Sequence, residues 1–195
     1  MHRHLQGGLV KIAFIGTHGI GKTTLCFELA AELKKRDQSV DMVKEVARSC
    51  PLPINQETTL SAQTWILHTQ IANEIAAAEA YEIVICDRSV MDNYAYLIHR
   101  LQPIGHLDEL IRGWIATYDH LFKVPIIGRP TYDGTRDTNK EFQWGIDEEV
   151  ERLVARFGLV PHRLDPTRRG HWMADILKIV VPGLVIRQES LFPED

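Results

Sequence analysis

The sequence predicts an α/β layer sandwich with a mainly parallel sheet, and three observations carry that prediction. Short apolar runs alternate with longer segments of helical periodicity along the chain. The first run, residues 9–15, leads into Gly16-Thr17-His18-Gly19-Ile20-Gly21-Lys22-Thr23-Thr24, which satisfies the phosphate-loop pattern Gly, any four residues, Gly-Lys-Ser/Thr. A later run, Ile83-Val84-Ile85-Cys86, ends in an acid and a base, Asp87-Arg88.

Composition narrows the class. A chain of 195 residues with 45% hydrophobic content can bury the core of one domain, and no repeat, low-complexity tract or linker divides it, so residues 1–195 read as a single unit. The net charge of −4, without any long run of lysine and arginine, argues against duplex nucleic acid or an anionic membrane surface as the main partner. Cys26, Cys50 and Cys86 lack CxxC or metal-type spacing and read as thiols of a reducing compartment. Met1-His2-Arg3-His4 lacks the apolar stretch of a signal peptide, and no segment approaches the ~20 apolar residues of a membrane span. A soluble cytoplasmic protein is expected.

Residues 9–15 are long enough for a buried strand and too short for a typical helix. In the loop that follows, glycines 16, 19 and 21 permit backbone conformations that let successive N–H groups turn around a phosphate. Residues 23–36 place Leu25, Leu29 and Leu33 at helical spacing, and the helix adds its free N-terminal donors to the loop. Residues 16–24 therefore form the expected nucleotide-binding loop, in which Lys22 reaches the terminal phosphates and Thr23 completes the shell of a Mg²⁺.

Residues 40–46 read as the second strand and deliver Glu45 near its C-terminal end, where ligands of open parallel sheets collect. Pro51 and Pro53 then break regular structure. Residues 58–79 restart as a long helix, with Leu60, Gln63, Leu67, Gln70 and Glu74 near one stripe and Trp65, Ile66 and Ile75 extending its apolar face. Gln63 and Gln70 meet either a substrate's polar edge or solvent. The third strand ends in Asp87, the acid expected to hold the hydration shell of Mg²⁺ together with Thr23, and Arg88 adds a planar fork of donors suited to phosphate.

A helix begins at Asp92, residues 102–105 are a break, and residues 107–118 form the next helix. In the first of these helices Tyr94 and Tyr96 serve either packing or base stacking. Residues 120–127 are apolar enough for a fourth strand with Pro125 at its end. Residues 128–141 turn polar and carry Arg129, Arg136 and Lys140, the composition of either a closing lid over phosphates or a plain surface loop. A helix over 146–157, a short fifth strand over 159–164, a loop with Arg168 and Arg169, and a helix over 171–180 complete the pattern. Loops in that last position often touch an adenine, which makes both arginines candidates.

With the phosphate loop, Glu45-Val46-Ala47-Arg48 and Cys86-Asp87-Arg88-Ser89 in view, the chain resembles the P-loop nucleoside and nucleotide kinases. It looks closest to the branch containing ribosylnicotinamide kinase domains and small AAA-type ATP-binding proteins, over roughly residues 10–177 and including Asp133 to Arg136. The resemblance implies a three-layer P-loop NTPase fold, with a mainly parallel five-stranded sheet flanked by helices. It also implies transfer of the ATP γ-phosphate, with GTP as the alternative donor, to a small-molecule hydroxyl or phosphate. Carried over, Glu45 matches the acid that takes the acceptor's proton, Asp87 the magnesium-linked acid, and Arg88 the arginine beside the acceptor, with the two acid roles interchangeable. Arg129 and Arg136 match lid arginines. The acceptor, nucleoside or monophosphate, stays open because Asp-Arg-Ser lies between the family's types.

A nucleotide-dependent regulator with slow hydrolysis is the competing class. Guanine switches need Asn-Lys-x-Asp, whereas Asn139-Lys140 is followed here by Glu141-Phe142. Motor-type ATPases place Glu after the strand-three acid, where this chain has Arg88. Both absences favour a kinase. Oligomeric state is open, with a homodimer among the options.

Overall fold

The computed structural model describes residues 9–101, 104–128 and 139–181. The apolar runs become five strands: β1 (Val10–Ile15), β2 (Val40–Val43), β3 (Ile83–Asp87), β4 (His120–Lys123) and β5 (His162–Arg163). Their spatial order is β2-β3-β1-β4-β5, and every neighbouring pair is parallel. Central β1 and β3 are covered on both faces, which is why their sequences are nearly continuous apolar runs rather than alternating ones.

Alternation along β1 sorts two cores. Ile12 and Phe14 pack with α1 (Lys22–Lys34) and α6 (Trp172–Val180) through Leu29, Leu33, Trp172 and Ile176. Ala13 and Ile15 face the other layer, formed by α2 (Leu60–Ala80), α3 (Val90–Arg100), α4 (Gly105–Ile115) and α5 (Lys140–Arg156). The result is the expected three-layer α/β architecture. Among the described residues, no helix is long and apolar enough to cross a membrane.

Several boundaries differ from the sequence reading, each for a local reason. β2 stops where its pairing with β3 stops, at Val43 opposite Cys86, so Glu45 lies beyond the strand and opens a 3₁₀ turn, Val46–Ser49. α3 starts at Val90 instead of Asp92, because Ser89 and Asp92 cap it reciprocally: the Ser89 hydroxyl accepts from Asp92 N, and Asp92 Oδ2 accepts from Ser89 N at 2.8 Å. α5 starts at Lys140, before the expected residue 146, because Asn139 Oδ1 caps Phe142 N at 3.1 Å. Gly145 lets α5 approach α3 closely; a Cβ there would lie 2.6 Å from His99 Cε1.

The stripe read on α2 is corrected in the same way. Leu60 and Ile75 are exposed, whereas Gln63, Gln70 and Glu74 are buried. Burial of Glu74 is sustained by four partners: Lys11 Nζ at 3.0 Å, Trp114 Nε1 at 2.7 Å, Tyr118 OH at 2.6 Å and Gln70 Nε2 at 2.8 Å. Such a cluster has a carboxylate whose acceptor sites are filled, the condition under which a buried charge is tolerated. Gln70 also donates to the carbonyl of Arg88 at 3.3 Å, which ties the cluster to the end of β3.

Candidate active site

The loop between β1 and α1 begins under tight steric control. Gly16 has φ +130°, and a Cβ would sit 2.8 Å from Ile20 Cδ1 and 3.0 Å from the Val124 carbonyl oxygen. Its N–H donates to Asp92 Oδ1 at 2.7 Å, so the acid that caps α3 also anchors the loop. α1 follows Gly21, whose missing side chain leaves the helix without a side-chain cap and its first donors available to an anion.

Lys22 is buried and donates to the carbonyls of Gly16, at 2.8 Å, and of Thr17. Burial, helped by the like charge of Arg88, lowers its pKa from 10.5 to about 8 against the pull of Asp92, Asp87 and Glu45. Beside it, the Thr23 hydroxyl donates to Asp87 Oδ2 at 2.6 Å. Burial pushes the Asp87 carboxyl up, although the Thr23 hydrogen bond and Lys22 oppose the shift.

Arg88 carries the left-handed φ of +93°, a conformation that costs a side-chain-bearing residue of order 1–3 kcal/mol and persists only where its surroundings hold it. Glu45 does much of that holding: Oε1 accepts from Arg88 Nη2 at 2.7 Å and Nε at 2.9 Å, while Oε2 accepts from Arg48 Nε at 2.9 Å. The Tyr96 ring lies 5.0 Å from the guanidinium. Burial alone would raise the Glu45 pKa, but Arg88, Lys22 and Arg48 outweigh it and bring it to about 2.

Lys22, Thr23, Glu45, Asp87 and Arg88 border one cavity of about 410 Å³, lined also by the rest of residues 18–24 and by Gln63, Asn93 and Tyr96. Arg88 Nη1 and Asn93 Nδ2 are buried there and, among the described residues, have no hydrogen-bond partner. A family model described as an AAA domain matches residues 11–171, a span that takes in every group just described.

The chain belongs to this AAA domain family.

Solved structures place the AAA domain's fold. Thymidylate kinase from Ehrlichia chaffeensis superposes with a TM-score of 0.63 at 18% identity, covering 88% of this chain and 98% of that one. A NadR protein in complex with NR gives 0.72 at 23% identity over 88% of this chain and 52% of that one. NadR in complex with NAD and AMP-PNP gives 0.70 at 22% identity over 89% and 50%. The AAA domain thus has the P-loop kinase-like fold and spans about half the length of the NadR chains. No curated protein matches its sequence.

The structure brings most of the expected residues of the AAA domain together. His18, Gly19, Ile20, Gly21, Lys22, Thr23 and Thr24 line the cavity with Glu45, Asp87 and Arg88. Gly16 and Thr17 lie behind that wall, where their carbonyls hold Lys22. Arg168 donates to Asp175 at 3.0 Å, whereas its neighbour Arg169 reaches the cavity. Arg129 and Arg136 fall outside the described residues, as does most of the expected lid, 128–141. Gln63 lines the cavity, and Gln70 serves the Glu74 cluster instead of a substrate edge. Tyr94 packs in the core and donates to Asp108 at 2.5 Å.

Sequence reasoning did not single out Asp92 as a loop anchor, nor Asn93 as a wall residue. The spacing from Asp87 places both on the first turns of α3, but nothing in their residue types announces that the helix would abut the loop.

Proposed function

We propose that this AAA domain is an ATP-dependent phosphotransferase that moves the γ-phosphate to a nucleoside, nucleotide or related small-molecule acceptor. The observation that carries this reading is the meeting of Lys22, Thr23, Asp87, Arg88 and Glu45 around one cavity. Phosphoryl transfer asks a protein for positioning and charge neutralisation more than for covalent chemistry. Lys22 and the donors at the start of α1 suit the donor phosphates.

Mg²⁺ fits the residues present. Thr23 and Asp87 supply hard oxygen ligands, and Asp87 is a buried carboxyl whose charge a cation would relieve. Among the described residues, no three or more His, Cys, Asp or Glu side chains are grouped so as to hold a metal ion by themselves, so phosphate oxygens and water would fill the remaining positions. An ion held by Thr23 and Asp87 would supply neutralisation of the donor's phosphate charge.

Arg88 Nη1 and Asn93 Nδ2 are donors to an acceptor oxygen, and Glu45 fixes the strained Arg88 in place. Held near a pKa of 2 between two arginines, Glu45 is a weak proton acceptor and serves as the counter-ion that orients Arg88. We place the protein in the cytoplasm, where Cys26 and Cys86, both buried with thiol pKa values raised by that burial, stay reduced.

Mixing the protein with Mg-ATP and a panel of nucleosides, ribosides and monophosphates tests the reading by ADP release. Acceptor-dependent release supports a kinase. Saturable Mg-ATP binding without it for any acceptor makes the chain a nucleotide-binding regulator.

A further inference from the structure

Two of the four variable positions of the phosphate-loop pattern, Thr17 and His18, are gripped from outside the loop. Gln143 on α5 is fully buried, and its Nε2 donates to the His18 carbonyl at 2.9 Å. One helical turn further along, Asp147 Oδ1 accepts from Thr17 N at 3.4 Å. Lys123, at the end of β4, donates to the same Asp147 oxygen at 2.8 Å, and Glu151 adds a contact to Lys123 at 3.6 Å. Arg163 of β5 holds Glu151 through two contacts of 2.8 Å.

The His18 side chain is fixed as well. Its ring lies 5.5 Å from the ring of Phe142 on α5, and Tyr96 OH on α3 meets His18 Nδ1 at 2.9 Å. Tyr96, Phe142 and Ile146 form a small apolar cluster around these contacts.

We propose that Gln143 and Asp147 are positioning residues for the nucleotide, clamping the Thr17–His18 backbone to α5 so that the loop keeps its phosphate-binding shape before any ligand arrives. The inference rests on the reading that the loop binds a nucleotide. Without the clamp, the glycine-rich loop has many accessible conformations, and binding must then order it. The two residues sit behind the loop wall and act through its backbone. Their loss weakens nucleotide affinity more than it weakens the fold.

The probe is Mg-ATP itself, titrated calorimetrically into the full chain. Gln143→Met is close in volume and removes the donor, which leaves the His18 carbonyl without it; it should lower affinity about tenfold, the effect of losing one net hydrogen bond plus the order it imposes. Asp147→Ala, at a partly exposed position, should lower it severalfold and serves if the first variant folds poorly. Val154→Ala is the structural control: it thins the same helix in the large core cluster, two turns beyond Asp147, and should lower the melting temperature while leaving affinity unchanged. A drop in affinity for Gln143→Met or Asp147→Ala but not for Val154→Ala supports the clamp. Unchanged affinity in both clamp variants, or an equal drop in the control, overturns it. Wild-type protein that binds no Mg-ATP overturns the nucleotide reading and the clamp with it, which separates the two failures.

Discussion

Replacing Lys22 with methionine removes a cation that folding carries into a buried site, and the consequences for stability and turnover have opposite signs. The fall in pKa from 10.5 to about 8 corresponds to about 3 kcal/mol of disfavoured charge. Because the unfolded chain binds this proton more tightly than the folded one, the penalty is fully present below pH 8 and fades as pH rises from 8 to 10.5. Against that relief, the variant leaves the carbonyls of Gly16 and Thr17 without their donor, at about 1 kcal/mol each. Lys22→Met is therefore expected to be more stable than wild type by about 1 kcal/mol at pH 7, to match it near about pH 9, and to be less stable above that. Urea unfolding followed by tryptophan fluorescence at pH 7, 8, 9 and 10 reads the crossing. Turnover should fall on the order of a hundredfold or more, as when a preorganised charge stabiliser is removed. Parallel pH dependence of the two stabilities would refute the buried-charge account, and near-normal turnover would refute the assigned role.

Glu45→Gln breaks ion pairs to Arg88 and Arg48, and should cost about 3 kcal/mol at pH 7. Because the folded-state pKa of Glu45 is depressed from 4.5 to about 2, its contribution is present above pH 4.5 and is lost as pH falls through 2. An acid titration of unfolding should thus be steeper between pH 4.5 and 2 for wild type than for the variant. Glu74→Gln leaves Lys11 buried without its counter-charge and should cost about 3–5 kcal/mol by urea denaturation. The double variant Lys11→Met/Glu74→Gln should recover much of that loss, since only neutral groups then remain; simple additivity of the two single changes would argue against the pair.

The legible parts of the site were those whose chemistry sits in one contiguous stretch. Residues 16–24 announce a phosphate loop because glycine freedom, a lysine and a hydroxyl must follow one another there in the chain. Asp87 and Arg88 announce themselves because an apolar strand ends on them, and a parallel sheet gathers strand ends at one edge. The alternation of runs and periodic segments likewise determined the α/β class, since one hydrophobic period suits a strand and another a helix.

Tertiary structure alone decided the rest. That Glu45 is a clamped counter-ion with a pKa near 2 depends on Arg88 and Arg48 meeting it, and 43 positions separate it from Arg88. That Gln70 supports a buried carboxylate while Gln63 faces the cavity follows from which neighbours α2 receives, because helical periodicity places both on one stripe. Asp92, Gln143 and Asp147 lie 76, 125 and 130 positions from the loop residues they hold. Short-range pattern reports what a segment can form; contacts between distant segments depend on how the sheet and its two helical layers close around them, and those contacts set the charges and positions of the site.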